Sequence, residues 1–78
     1  MDPKELITRI ARALVDHPEE VSVNQVDSET TVIFELTVSK GDIGRVIGKH
    51  GRTVYAMRTI IGAVVGKTRK RFMLEIVE

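Results

Sequence analysis

The 78-residue sequence has no cysteine, no tryptophan and only two prolines. Without cysteine, a chain of this length has neither a disulfide framework nor a cysteine-bound metal to stabilise it, so regular elements around a small core must do so. No apolar run approaches the ~20 residues of a membrane span, and the N-terminus lacks the basic region and apolar core of a signal peptide. We therefore expect one domain, residues 1–78, in the cytoplasm.

Acidic and basic residues are divided unevenly along the chain. Residues 1–39 hold 3 bases and 8 acids, a balance of −5, whereas residues 40–78 hold 9 bases and 3 acids, a balance of +6. Such an asymmetry is typical of a protein with one surface that meets polyanions. A solvated basic surface without a partner produces the same pattern.

The periodicity of apolar residues predicts an α+β fold in the order α-β-β-α-α-β. Helical spacing predicts helices over residues 3–16, 40–47 and about 52–65, and alternation predicts strands over 21–26, 31–38 and 71–77. Elements in this order are expected to build a three-stranded sheet packed on three helices.

Several residues are placed to define the helix ends. Asp2 can cap the first helix, and Pro18 ends it because the residue before a proline avoids helical angles. Ser39 followed by Asp42 resembles a capping box at the start of the second helix. Gly66 is placed as the C-terminal stop of the third helix.

The segment with the clearest chemistry is a glycine turn between the second and third helices. Gly48-Lys49-His50-Gly51 is a G-x-x-G turn, and Arg52 follows it directly. Glycines allow a backbone strand to approach closely, and the turn leads into a helix N-terminus, whose N–H groups and dipole favour anions. Lys49 and Arg52 add positive charge, as does His50 at acidic pH. The turn therefore suits a phosphodiester chain.

Apolar residues beside the turn are placed to form the floor of a shallow groove for unpaired bases, and these are Ile43, Ile47 and Val54. Tyr55 is placed to stack on a base, although a tyrosine more often packs its ring on a neighbouring side chain. With three aromatic residues in all, the chain lacks the stacking platform of RRM and OB-fold proteins.

Enzymatic and cofactor-binding patterns are absent. The Walker A spacing and the G-x-G-x-x-G fingerprint do not occur, and no nucleophile, base and orienting residue are grouped. The only two histidines are far apart, and there is no cysteine. We therefore expect no catalysis, no metal and no cofactor.

The run from Val46 to Arg52 resembles the signature loop of a KH domain, in which a G-x-x-G loop clamps four nucleotides of backbone. The element order resembles the type II, prokaryotic form, and the likeness covers essentially the whole chain, as in small bacterial proteins with a single KH domain. The resemblance implies that RNA backbone is bound by Gly48, Lys49, His50, Gly51 and Arg52. It implies an RNA groove formed by Ile43, Gly44, Ile47, Val54 and Tyr55.

The resemblance also implies a cellular setting. Such proteins act as RNA chaperones or post-transcriptional regulators, form homodimers, and work with a larger KH-containing partner in cell elongation and division. None of this follows from composition or spacing.

The third helix offers an alternative function. Its apolar residues cover an arc of roughly 200°, wider than the ~100° stripe of a surface helix. Either two sides of the helix are buried, or part of the arc meets another subunit through Ile60, Ile61 and Val64. The chain would then be a protein-interaction module with incidental RNA binding. A helix-turn-helix DNA binder is a third reading, for which the second helix is short.

Overall fold

The computed structural model describes residues 1–78 and has three helices packed on one face of a three-stranded sheet. The helices are α1 (Pro3–Leu14), α2 (Ile43–Ile47) and α3 (Arg52–Val65), and the strands are β1 (Ser22–Asp27), β2 (Thr31–Thr37) and β3 (Arg71–Val77). The predicted fold class and element order are confirmed.

The sheet has β2 at its centre. β1 pairs with it in an antiparallel hairpin, in continuous register from Ser22 opposite Thr37 to Asp27 opposite Val32. β3 pairs with β2 in parallel, which requires a long crossover connection. The α2–α3 segment supplies this crossover, so the glycine turn lies between the two packed helices.

Alternate strand residues face the helices and form the core. Phe34 and Leu36 of β2 are completely buried, as are Ile7 of α1, Val46 of α2 and Ile61 of α3. Each helix therefore contributes to one continuous apolar cluster. Because α2 is only five residues long, its position depends strongly on contacts with the rest of the molecule.

The end of α1 differs from the prediction, and the end of α3 agrees with it. α1 begins as predicted, with Asp2 Oδ1 accepting the Lys4 N–H at 3.2 Å, but it ends at Leu14, two residues early. α3 ends at Val65 with Gly66 as its C-cap, as predicted. Gly66 is not left-handed, because its φ is −54°, and a 3-10 turn continues to Thr68. The Thr68 hydroxyl donates to the Val65 carbonyl at 2.7 Å, and the left-handed residue is Arg69.

The capping box predicted for Ser39 and Asp42 is wrong. Ser39 makes no side-chain capping bond, because the Asp42 N–H donates to the Ser39 carbonyl at 2.9 Å. The Asp42 side chain is turned into the protein, and the residue is only 1% exposed. Its two carboxylate oxygens accept the backbone N–H groups of Asp16 at 3.1 Å and His17 at 3.0 Å. Asp42 therefore fixes the start of α2 to the segment that follows α1.

Arg45 completes this attachment. Its Nη2 lies 3.0 Å from Asp16 Oδ2, and its Nε lies 3.6 Å from Asp42 Oδ1. Burial of Asp42 by itself raises the pKa of the carboxyl group. The two backbone N–H bonds and the positive charges of His17 and Arg45 outweigh that effect and hold the pKa below 3.8.

This depressed pKa predicts an acid-dependent stability. The carboxylate stabilises the fold above its unfolded pKa, and that contribution is lost as the pH falls through the lower folded pKa. In Asp42→Asn, an amide N–H₂ replaces one acceptor and faces a backbone donor. We expect a lower thermal unfolding midpoint than wild type at about pH 7, and a difference that shrinks toward about pH 3. Circular dichroism melts at both pH values measure this, and an equal difference at both would contradict it.

Candidate nucleic-acid interface

The turn between α2 and α3, here called the G-x-x-G loop (Gly48–Gly51), depends on unusual backbone angles. Gly48, His50 and Gly51 all have positive φ, at 78°, 58° and 73°. The Gly48 N–H donates to the Gly44 carbonyl at 2.8 Å, and the Gly51 N–H donates to the Gly48 carbonyl at 3.0 Å. These bonds close a tight turn, so α3 begins four residues after the loop's first glycine.

Gly48 has two reasons to be glycine. Its φ of 78° with ψ of 168° is a combination that only glycine adopts readily. A Cβ placed there would also lie 2.2 Å from Thr53 Oγ1 and 2.8 Å from the Thr53 backbone nitrogen. The first turn of α3 therefore packs directly against the loop backbone.

The basic side chains in and beside the loop are unpaired. Lys49, His50 and Arg52 are exposed, and none of the ion pairs in the structure involves them. Arg45, in the same sequence run, is by contrast engaged by Asp16 and Asp42. The positive charge near the loop is therefore available to a ligand.

The start of α3 adds a partial positive charge at the same place. No side chain caps this 14-residue helix, so the field of its N-terminus is not neutralised by an acidic cap. Gly51 precedes the helix, and Arg52 and Thr53 form its first positions. An anion beside Lys49 would meet both the side-chain charge and the helix terminus.

The predicted groove residues differ in exposure. Ile43 and Ile47 are half-buried, and Gly44 between them is exposed, with open space where a Cβ would lie. Val54 is only 7% exposed, so little of its side chain can reach a ligand. Tyr55 is 73% exposed. Of the predicted groove residues, Gly44 and Tyr55 are therefore the most accessible.

Arg58 is a neighbouring residue that the sequence did not single out. It follows Tyr55 by three positions, and its Nη2 donates to the Leu74 carbonyl of β3 at 2.9 Å. β3 is an edge strand, and a surface pocket of about 300 Å³ lies there, lined by Arg58, Phe72, Met73, Leu74 and Glu75. No sequence pattern links a helix arginine to a carbonyl 16 residues away.

Two other predicted or candidate features lie elsewhere. The basic run Arg69–Arg71 follows the C-terminus of α3, about 20 Å from the loop at 1.5 Å per residue. His17, Glu19 and Glu20 bring ligand atoms within 4.8 Å of one another, but all three side chains are exposed. Because exposed acidic groups are common without an ion, we assign no metal to this group.

None of the helices has the length and apolar character that a membrane crossing requires.

The candidate dimer surface on α3 needs one correction. Ile61 is 0% exposed and belongs to the core cluster, so it is not accessible to a partner in this fold. Ile60 is 49% exposed and Val64 is half-buried. The wide apolar arc is therefore partly core and partly surface, with exposed Ala56 and Ala63 beside Ile60.

The chain is similar to known proteins along almost its whole length. The family model for the KhpA/KhpB KH domain matches residues 4–76. A protein named RNA-binding protein KhpA from Chlamydia muridarum is 48% identical over 75 residues, which cover 96% of each chain. Proteins of the same name from Listeria monocytogenes serovar 1/2a and Clostridium perfringens are 48% and 49% identical, covering 96% and 95% of this chain and 99% of each relative. No solved structure matches the chain.

Glycine substitutions test the geometry of the loop. We expect Gly48→Ala to lower the free energy of unfolding by about 2–3 kcal/mol, from its backbone conformation and the contact with Thr53. Gly51→Ala, with the same sign of φ but no contact within 4 Å, should cost only about 1 kcal/mol. Gly44→Ala, inside a helix and in open space, is the matched control and should gain up to about 1 kcal/mol. Urea unfolding measures all three, and equal effects at Gly48 and Gly44 would contradict the geometry.

Proposed function

This chain belongs to the KhpA/KhpB KH-domain family, and we propose that it binds single-stranded RNA without catalysing a reaction. The observation that carries the proposal is the G-x-x-G loop, where unpaired cationic side chains adjoin an uncapped helix N-terminus. The names of relatives that share almost half of its residues support an RNA ligand.

The loop would hold the phosphodiester backbone. Gly48 and Gly51 let the chain of phosphates approach the protein backbone, while Lys49 and Arg52 supply positive charge beside it, as does His50 at acidic pH. Arg45 takes no part, because Asp16 and Asp42 already pair with it. Arg45 would therefore position α2, whereas Lys49 and Arg52 would contact the ligand.

The bases would lie on the surface next to the loop. Exposed Gly44 and half-buried Ile43 and Ile47 form its floor, with Val54 beneath, and the free ring of Tyr55 offers one stacking face. A single ring and an aliphatic floor give little base discrimination. We therefore expect weak binding with a modest sequence preference.

Salt dependence follows from the number of phosphates held. With three or four phosphates engaged, the slope of log affinity against log salt should be roughly −2 to −3, at about −0.7 per phosphate for a single strand. A helix-turn-helix mode fits less well, because α2 has five residues and is only about 7.5 Å long.

Charge reversal in the loop tests the RNA site. In Lys49→Asp/His50→Asp, we expect the affinity for a short single-stranded RNA to fall at least about tenfold, or roughly 1.4 kcal/mol, because repulsion replaces attraction at the backbone. Fluorescence anisotropy across a salt series measures the affinity and the slope. Circular dichroism checks that both proteins are folded.

A matched control removes the effect of net charge. Lys4→Asp/Lys67→Asn makes the same formal change of −3, and both positions lie at the other end of α3, where Pro3 and Val65 line one pocket. This variant should bind RNA nearly as wild type does. Equal loss in both variants, or tighter binding of a matched duplex, would contradict a loop-specific single-strand site.

A second role rests on the exposed apolar part of α3. Ile60 and Val64, with Ala56 and Ala63 beside them, form a patch that fits a second protein, either another copy or a larger KH-containing partner of the KhpB type, also called Jag or EloR. Membership of the family supports such a partner and a role in cell elongation and division. In that role the chain would act in the cytoplasm as an RNA chaperone or post-transcriptional regulator. Pairing would place two weak RNA sites in one assembly and raise affinity by avidity. In the alternative function, this surface is the main one and RNA binding is incidental.

Two neighbouring isoleucines separate surface from core. Ile60→Asp should leave the thermal unfolding midpoint nearly unchanged and weaken association through α3, because a charge replaces an exposed apolar contact. Ile61→Asp should unfold the protein, because it buries an unpaired charge. Analytical ultracentrifugation with thermal melts measures both, with and without a KhpB-type partner. A stable, folded Ile61→Asp protein would show that the burial assigned to α3 is wrong.

A further inference from the structure

The face of the sheet turned away from the helices, here called the open face, has an ordered pattern that the RNA site does not use. In the strand register, Val26 of β1, Ile33 of β2 and Met73 of β3 stand side by side. Val26 and Met73 are 47% and 49% exposed. An apolar row therefore crosses all three strands, on a surface that no other element covers.

Charges of opposite sign flank this row on β3. Arg71, Met73 and Glu75 alternate along the strand, so all three side chains point to the open face. Neither Arg71 nor Glu75 takes part in an ion pair. At about 3.3 Å per residue the two are about 13 Å apart, too far to pair within the chain.

The acidic side of the row is locally unfavourable. Glu75 stands directly beside Glu35 in the register, and like charges in this arrangement destabilise a sheet. Asn24 Nδ2 donates to Glu35 Oε1 at 2.8 Å, whereas no hydrogen bond or ion pair reaches the Glu75 side chain. A cation placed over Glu75 from outside would relieve this repulsion.

We propose that the open face binds a second copy of this chain, sheet against sheet, with the Val26–Ile33–Met73 rows in contact and Arg71 of each copy paired with Glu75 of the other. A twofold axis along the apolar row reverses the strand direction of the second copy. Arg71 of each copy then lies over Glu75 of the other, which gives two ion pairs. Sheets packed face to face are about 10 Å apart and cross at about 30°, a gap that an arginine and a glutamate can span together.

The chemistry of the face favours a copy of the chain over nucleic acid. The charged residues of the open face are Arg71, Glu35 and Glu75. Their net charge is −1, which repels phosphates. Three strands of about seven residues offer about 14 Å by 23 Å, which is small beside the ~800 Å² per partner of a standard complex. We therefore expect weak association, with a dissociation constant in the micromolar range or above.

This surface is independent of the α3 patch, because the helices cover the opposite face of the sheet. Ile60→Asp is therefore the background for the test, since it weakens association through α3. In this background, we expect sedimentation equilibrium to detect a weak dimer. Arg71→Glu or Glu75→Arg should each raise its dissociation constant at least about tenfold, because each creates two like-charge contacts.

Charge exchange gives the decisive result. Arg71→Glu/Glu75→Arg in one chain restores both ion pairs, so the dimer should return, and so should a mixed dimer of the two single variants. Lys67→Glu, which makes the same charge change as Arg71→Glu off the open face, is the control and should leave the dimer intact. Thermal melts confirm that each variant is folded.

Three results would overturn the proposal. The Ile60→Asp protein could remain monomeric at millimolar concentration. The charge exchange could fail to restore association. Lys67→Glu could weaken the dimer as much as Arg71→Glu does, which would make net charge the cause.

Discussion

The turn at Gly48–Gly51 is the constraint on which the candidate site depends. Positive φ at Gly48, His50 and Gly51 joins two helices through only four residues, and Thr53 packs against the Gly48 backbone at a distance that leaves no room for a Cβ. Because the turn is so short, the loop cations and the N-terminus of α3 face the same point. The proposed phosphate site therefore depends first on the backbone conformation of the turn, and the side chains add charge to it.

A second interaction holds this turn in place within the domain. α2 has five residues and cannot be stable by itself. Asp42 fixes its start to the backbone of Asp16 and His17, Val46 enters the core, and Arg45 pairs with the same acidic groups. The acidic first half of the chain thus neutralises one arginine of the basic half, and the remaining cations near the loop stay exposed.

The parts of this structure that follow periodicity could be predicted from sequence, and the parts set by distant contacts could not. Alternation in β2 and the G-x-x-G pattern gave the element order, the fold class and the position of the loop. The sequence predicted that Asp42 belongs to a local cap. Nothing in the neighbouring sequence indicates that its carboxylate oxygens accept the backbone N–H groups of Asp16 and His17. A wide apolar arc on α3 did not show that Ile61 lies in the core and Ile60 outside it. The bond from Arg58 to Leu74 likewise depends on how α3 packs on β3.

We propose that the G-x-x-G loop and the first turn of α3 bind the backbone of single-stranded RNA. The sharpest test is to follow the backbone amide resonances during a titration with a short single-stranded RNA, because every residue reports separately. We expect the largest shifts between Gly48 and Val54, with smaller ones at Gly44 and Tyr55, and we expect all of them to diminish as salt is raised. Shifts concentrated on the open face of the sheet, or none near the loop at saturating RNA, would contradict it.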